Sequence, residues 1–557
     1  MYWHPLIKTL LLAALAVAFP AWAASDEFSA RVDEVLGTAE HPYLHGRDLH
    51  LEQNVLRTLY GQRANTPLWE HADTASAQAQ RLLRELQNAA NYGLEPVDYE
   101  PDLLARKLAE LQSDPAATAA SWADWDVALS TVALRFVRHL HYGRIDPHLA
   151  GFDLDQPRAA LDLPSTLAQL AGADNPAVNL AAVEPRFHHY QLLKAALAKY
   201  RRLAADPDLS TLPDFVGKSV RPGAPYAGAA DLRRRLALLG DLPDKGAAAD
   251  DAVLDDALVE GLKNFQQRHG LQADGVLGIT TLQALNTPLA FRVRQIELTL
   301  ERWRWLPDLA PPWIAVNIPQ FRLFAFTSDS DVELGMLNME VVVGQAFPEK
   351  RTPVFLGKVQ YVVFRPYWNV PSSITHREIL PKILRNPGYL KHSHLELVQG
   401  PSDGSPVVPA TAQNIALLDS GKVRLRQLPG PDNALGDIKF IFPNRYDVYL
   451  HSTPAQELFA RAKRAFSHGC IRVSDPQGLA AFVLRNAPGE WTADNITAAM
   501  NGAPNQRVTL SQPVQVMILY GTAVATESGR TYFFDDIYGH DRNLEHLLGL
   551  APIVVMH

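Results

Sequence analysis

The chain has 557 residues, too many for one compact core, and calls for two to four domains. With 47% apolar and 20% charged residues it can bury a sizeable interior, which excludes wholesale disorder, collagen-like and coiled-coil architectures. Its 52 basic and 60 acidic side chains leave a net charge of −8, so nothing global favours nucleic acid or an anionic membrane surface. The single cysteine, Cys470, excludes an internal disulfide, a thiolate-clustered zinc site and an iron–sulfur cluster held by this chain alone.

At the N-terminus, Lys8, the apolar run Leu10 to Phe19, Pro20 and the small-residue signal Ala21-Trp22-Ala23 read as an export signal over residues 1–23. The run is shorter than the ~20 residues that span a bilayer. An uncut, tethered form is the alternative. The expected location is therefore outside the cytoplasm, with no integral membrane domain beyond such an anchor.

Residues 24–211 carry apolar side chains at helical spacing, as in Leu82, Leu83 and Leu86 or Val127, Thr131, Leu134 and Val137, and predict a helical scaffold domain. No catalytic cluster stands out there. Residues 212–310 are read as a linker followed by a small helical module, the Pro/Gly-rich linker running from Leu212 to Gly228. Gly217-Lys218-Ser219 is not a phosphate-binding loop, because Leu212 stands where its first glycine would be. Leu232, Leu236, Leu258, Leu262 and Phe265 predict short amphipathic helices, Asp274-Gly275 a turn, and Thr280 with Gln283 the capping box of a last helix. The series Phe265-Gln266, His269-Gly270-Leu271, Asp274 to Gly278 and Thr281 to Asn286 resembles the three-helix peptidoglycan-binding-like domain of bacterial cell-wall enzymes. That resemblance implies wall docking or a structural spacer.

From residue 311 to 500 the pattern changes to strands: Ile314 to Ile318, Arg322 to Phe326, Glu340 to Val343, Val359 to Val363 and Lys439 to Phe442. The pattern lapses over about 373–437, a stretch long enough to predict an inserted cap. Residues 501–557 are expected as a C-terminal segment packing on the catalytic or scaffold domain. The fold class is thus multidomain α+β.

The one thiol sits in Phe466-Ser467-His468-Gly469-Cys470-Ile471-Arg472-Val473, and His451 precedes it at the end of an expected strand from Tyr446 to Leu450. A thiol needs a neighbouring base or positive charge to react as thiolate at neutral pH. Thr453 to Gln456 and Ser474 to Gln477 both read as capping boxes that open helices beside the two candidates. His468 lies two residues from Cys470, so on a strand it would share the same face, as would Arg472.

Arg464 to Val473, with Tyr449-Leu450-His451-Ser452-Thr453 upstream, is similar to the active-site signature of the bacterial murein L,D-transpeptidases. Tyr367-Trp368-Asn369-Val370-Pro371 and Leu428 to Gly436 look like those of the large multidomain members, and the domain order agrees. The resemblance implies that Cys470 is the nucleophile and His451 its base. It also implies that the Ser452 backbone carbonyl orients the imidazole and that N–H groups around Gly469 and Cys470 form an oxyanion hole. His468 would shape the site. Arg472 is a candidate for holding a substrate carboxylate, and Tyr367, Trp368 and Asn369 are candidates for the substrate groove.

The implied reaction is acyl transfer from peptidoglycan tetrapeptide stems to a neighbouring stem, giving 3→3 cross-links between diaminopimelates, with no metal and no cofactor. Stem peptides are the expected donor and acceptor, and wall-synthesis proteins are candidate partners. Carbapenem acylation and a role in cell shape follow from the resemblance. A carboxypeptidase, a protein-to-wall attaching enzyme and a silent wall-binding scaffold stay open as alternatives. Between Glu340 and Asp475 there are 17 Lys/Arg against 11 Asp/Glu, a local excess that suits carboxylate-rich stems. A Ser-x-x-Lys nucleophile motif and a His-Glu-x-x-His zinc motif are both missing from the chain.

Overall fold

A computed structural model describes residues 26–553 apart from 70–74, 156–157, 207–208, 210, 243–251, 329–336, 387 and 503. The expected export segment over residues 1–23 lies outside the described residues. Among them, no helix is long and apolar enough to cross a membrane. The chain divides into two compact units, one taking the chain up to Tyr142 with Ala160–Glu184, the other Gly143–Ala159 with the chain from Pro185 onward.

The first unit is helical and is organised by the helix Ala119–Tyr142, whose apolar residues fall on every side, so that it is buried along most of its length. Within that helix the Asp126 carboxylate accepts bonds from the Tyr60 hydroxyl (2.6 Å) and the Trp69 N–H (2.7 Å). The scaffold expectation over 24–211 spans both units. The helix His188–Ala204 belongs to the second unit, where it packs on the helix Leu289–Arg304 through Tyr190, Leu193, Leu197 and Tyr200.

The small module comprises the helices Ala229–Leu239, Asp256–Arg268 and Ile279–Asn286. The buried Gln266 fixes its turn: the amide donates to Asp274 (3.0 Å) and to the Val276 carbonyl (3.0 Å) and accepts from the Gly275 N–H (2.8 Å). The stretch read as linker is partly built into this module. Leu212, Val220 and Tyr226 are buried, and Ser219–Val220 pairs with Leu277–Gly278. The last helix is capped by Gly278 without a side-chain bond, not by Thr280.

The β-rich domain is a nine-stranded sheet ordered Ala465–Ser467, Leu337–Gly344, Ile471–Val473, Leu450–His451, Ile438–Ile441, Leu356–Phe364, Gln506–Leu519, Trp313–Asn317, Arg322–Phe326. Arg322–Phe326 also pairs with Leu337–Gly344, so the sheet closes on itself and leaves its long strands without free edges. Gln506–Leu519 lies inside this sheet, parallel to Trp313–Asn317 and antiparallel to Leu356–Phe364. This strand, from the stretch expected to pack on the domain from outside, is therefore part of its sheet: its alternating apolar residues Val508, Leu510, Val514, Val516 and Ile518 are core residues.

The cap has its own four-stranded sheet, ordered Trp368–Asn369, Arg424–Gln427, Leu395–Val398, Val407–Val408, over a separate apolar core that includes Ile379, Ile383, Leu397 and Leu425.

Candidate active site

Three neighbouring strands set out the site. Leu450–His451 runs parallel to Ile471–Val473 and antiparallel to Ile438–Ile441, with Leu450 opposite Ile471 and Phe440. Those three are fully buried and anchor the strands in the core. Side chains alternate across a sheet, so the next row, Arg472, His451 and Lys439, stands on the other face. Tyr449 and Cys470 precede His451 and Arg472 by two residues and stand on that face too. Cys470 and His451 are thus diagonal neighbours, within reach of an imidazole ring.

The strand expected from Tyr446 is shorter, because Asp447 sits at φ +53 and the Asn444 side chain closes a turn onto the N–H groups of Tyr446 and Val448. After His451 comes a 3₁₀ turn, Gln456–Ala460, and not a capped α-helix; the Thr453 hydroxyl accepts from the Ala455 N–H, and the Gln456 side-chain amide donates to the Thr453 carbonyl (2.6 Å). The helix after the cysteine, Pro476–Leu484, is capped one residue later than expected, by Asp475 onto the Gly478 N–H (2.8 Å), with Pro476 in its first turn.

The loop that presents the thiol is held from several sides. Gly469 adopts φ +115, a conformation that only glycine takes without strain. Its N–H donates to the Ser467 hydroxyl (3.1 Å), which itself donates to the Cys470 carbonyl (2.5 Å). Its carbonyl accepts from Thr352 (2.8 Å), and the Tyr538 hydroxyl accepts from the Thr352 N–H (3.2 Å) while donating to the Gly344 carbonyl (2.6 Å). The Gly469 N–H thus donates within the loop. The Cys470 N–H has no hydrogen-bond partner among the described residues.

Cys470 is partly accessible, and its Sγ lies 3.6 Å from the Asp447 carbonyl. Burial pushes the thiol up to about 11, against the hydrogen bonds from the Tyr449 backbone and hydroxyl, which favour the thiolate. His451 is buried, with Nδ1 2.5 Å from the Ser452 carbonyl. Burial, then the Arg472 charge, hold its imidazole down at about 3, while the carbonyls of Ser452 and Leu435 act the other way. The pair therefore rests neutral at pH 7. Arg472 is half-buried, burial lowers its pKa, and its Nε is buried with no hydrogen-bond partner.

The other expected residues sit apart from this row. His468 points to the cap, its Nε2 2.7 Å from Glu378. Tyr367 stacks on the Arg426 guanidinium at 4.3 Å, Trp368 packs on the cap core, and Asn369 donates to Asp403 (3.0 Å). All three are engaged within the cap. Sequence reasoning did not single out Tyr449, Thr352, Tyr538 or Lys439. Alternation from His451 points to Tyr449; nothing local marks Thr352 and Tyr538, which reach the loop from distant segments.

Comparison with known proteins gives the arrangement a context. Residues 311–510 match the family described as L,D-transpeptidase catalytic domain, residues 54–197 a scaffold domain, and residues 227–285 the family described as "Putative peptidoglycan binding domain". A Haemophilus influenzae protein named "Putative L,D-transpeptidase" is 32% identical over 251 residues, 45% of this chain and 49% of that protein. The chain spans about half the length of the curated relative it matches.

Proposed function

Since residues 311–510 match the family described as L,D-transpeptidase catalytic domain, we propose that this chain is a cysteine acyltransferase that forms 3→3 cross-links in peptidoglycan. The observation that carries this reading is the parallel strand pair that sets Cys470 diagonal to His451, with the imidazole hydrogen-bonded to the Ser452 carbonyl. The matched peptidoglycan-binding domain favours the same polymer as substrate. The enzyme works where that polymer lies, outside the cytoplasm.

In this reading the Cys470 sulfur attacks the carbonyl between the diaminopimelate and the terminal D-Ala of a tetrapeptide stem. With Nδ1–H donated to Ser452, the neutral His451 ring carries its lone pair on Nε2, which takes the thiol proton and returns it to the leaving amine. The C–N bond breaks, D-Ala leaves, and a thioester remains. The side-chain amine of a second diaminopimelate then displaces the sulfur, and Cys470 regains its proton. The Cys470 N–H stands ready for the oxyanion, and the Tyr449 hydroxyl steadies the departing thiolate. Arg472 receives a stem carboxylate, and the cap keeps water from the thioester.

Intact-mass analysis of the protein mixed with tetrapeptide stems tests this. A mass gain corresponding to the stem minus D-Ala, located on Cys470, is expected, as is a carbapenem adduct on the same residue. A folded protein that takes up neither contradicts the proposal.

A further inference from the structure

Lys439 occupies the strand next to His451 and is its direct partner in the antiparallel register, so the imidazole stands between Lys439 on one side and Arg472 on the other. Burial lowers the Lys439 ammonium, and the carboxylate that acts on it through space is Asp403 of the cap. Among the described residues it makes no hydrogen bond and no ion pair within 4.0 Å. Arg472 is in a similar state, its Nε buried without a partner and Cys470, then Glu457, acting on it through space. Two half-buried cations without direct counter-charges are costly. Both also disfavour protonation of the histidine between them. An anion lying over such a row stabilises it.

Strand spacing puts the roots of Lys439 and Arg472 roughly 10 Å apart, two strands' width. A donor stem carries carboxylates on both sides of its scissile carbonyl, on the leaving D-Ala and on the residues before it. Resting on the reading above, we propose that Lys439 is a second carboxylate subsite, which with Arg472 clamps the donor stem across His451. Burial is the main reason that His451 is a weak base, with the Arg472 charge next and Lys439 a smaller one, and a bound stem that neutralises the two cations removes the charge part of that effect.

The test compares D-Ala release by the full-length wild type, K439M and K439R. Met keeps the aliphatic stem in its packing and removes only the charge. The donors are the native stem, a stem amidated at the terminal D-Ala, and a stem amidated at the diaminopimelate carboxylate. For K439M, kcat/KM on the native stem is expected to fall about 10- to 100-fold, as for a lost charge-assisted hydrogen bond, with K439R retaining part of it and the thermal midpoint of K439M no lower than that of the wild type. One of the amidated stems should lose that factor with the wild type and lose no more with K439M, which identifies the carboxylate that Lys439 holds. A folded K439M that turns over the native stem as the wild type does overturns the subsite, and so does a K439M defect of equal size on all three donors. If the wild type releases no D-Ala from any donor, the functional reading fails, while the subsite is read by another route. Free diaminopimelate should protect Cys470 from iodoacetamide in the wild type and not in K439M, and equal protection in both would overturn it.

Discussion

The His451 Nδ1 lies 2.5 Å from the carbonyl of Ser452, the residue that follows it. The contact comes from the backbone, so the Ser452 side chain is dispensable for it. Ser452→Ala should keep activity within about twofold, at a cost of roughly 1 kcal/mol or less. Gly436 touches the same residue. Its φ is +61, and a Cβ there would lie 2.5 Å from the Ser452 hydroxyl and 2.7 Å from the Thr453 N–H. Gly436→Ala should displace the carbonyl and lower kcat by about 100-fold, as misplaced catalytic groups do. Steady-state kinetics on the two variants checks the contrast.

Thr352 and Tyr538 hold the Cys470 loop as one unit. Thr352→Val removes the bonds to the Gly469 carbonyl and from the Gly344 N–H; Tyr538→Phe removes those to the Gly344 carbonyl and from the Thr352 N–H. Each should destabilise by about 1–2 kcal/mol and slow acylation of Cys470. The double variant should cost less than the sum, because the two share a network. Urea unfolding of the four proteins in this cycle measures that coupling.

Much of this is legible in the sequence. Alternation marked Ile314 to Ile318 and Arg322 to Phe326 as strands, and the lapse over about 373–437 marked the cap. The strand Gln506–Leu519 was passed over although it alternates, because its partners Trp313–Asn317 and Leu356–Phe364 are about 150 or more residues away and no local signal announces such pairings. In the site, Cys470 and His451 stood out as the sole thiol and an imidazole at a strand end. Lys439 did not, because an isolated lysine in a strand reads as a solvated face until the register sets it beside His451. The caps misread at Ser474 and Thr280 show the limit of short patterns: Asp475 before Pro476 was the better N-cap on chemistry alone.

Acid should weaken the catalytic unit. Burial holds His451 at about 3, His540 at about 4 and His269 well below the ordinary 6.5, so all three stay neutral in the fold. Between pH 6.5 and 4 the unfolded chain binds protons that the folded one refuses, and stability falls as pH falls. In the helical unit His41, held at about 4, acts in the same direction, whereas Asp126, raised to about 6, acts in the opposite one, as do Asp437, Asp541 and Glu545 of the second unit, which burial raises. The thermal midpoint of the catalytic unit should be lower at pH 5 than at pH 7.5. His540→Phe, which retains an aromatic ring against Phe152 and Tyr520, should narrow the gap.

The cap touches the nucleophile loop through Glu378, which lies 2.7 Å from His468 and 3.9 Å from Lys350. Glu378→Gln keeps a hydrogen bond but removes the charge. Since exposed pairs are worth up to about 1 kcal/mol, the cap should open more often and the ratio of hydrolysis to transfer should rise by a few-fold at most. Quantifying both products from one reaction reads that ratio, and an unchanged ratio would separate cap closure from this contact.

The central claim is that Cys470 transfers a stem to a second stem. Purified disaccharide-tetrapeptides should be incubated with the wild type and with Cys470→Ala, and the products sequenced by tandem mass spectrometry. The account requires dimers joined diaminopimelate to diaminopimelate, formed by the wild type alone. Cys470-dependent loss of D-Ala without dimers would make the protein a hydrolase or an enzyme with another acceptor, and dimers formed equally by Cys470→Ala would contradict the mechanism.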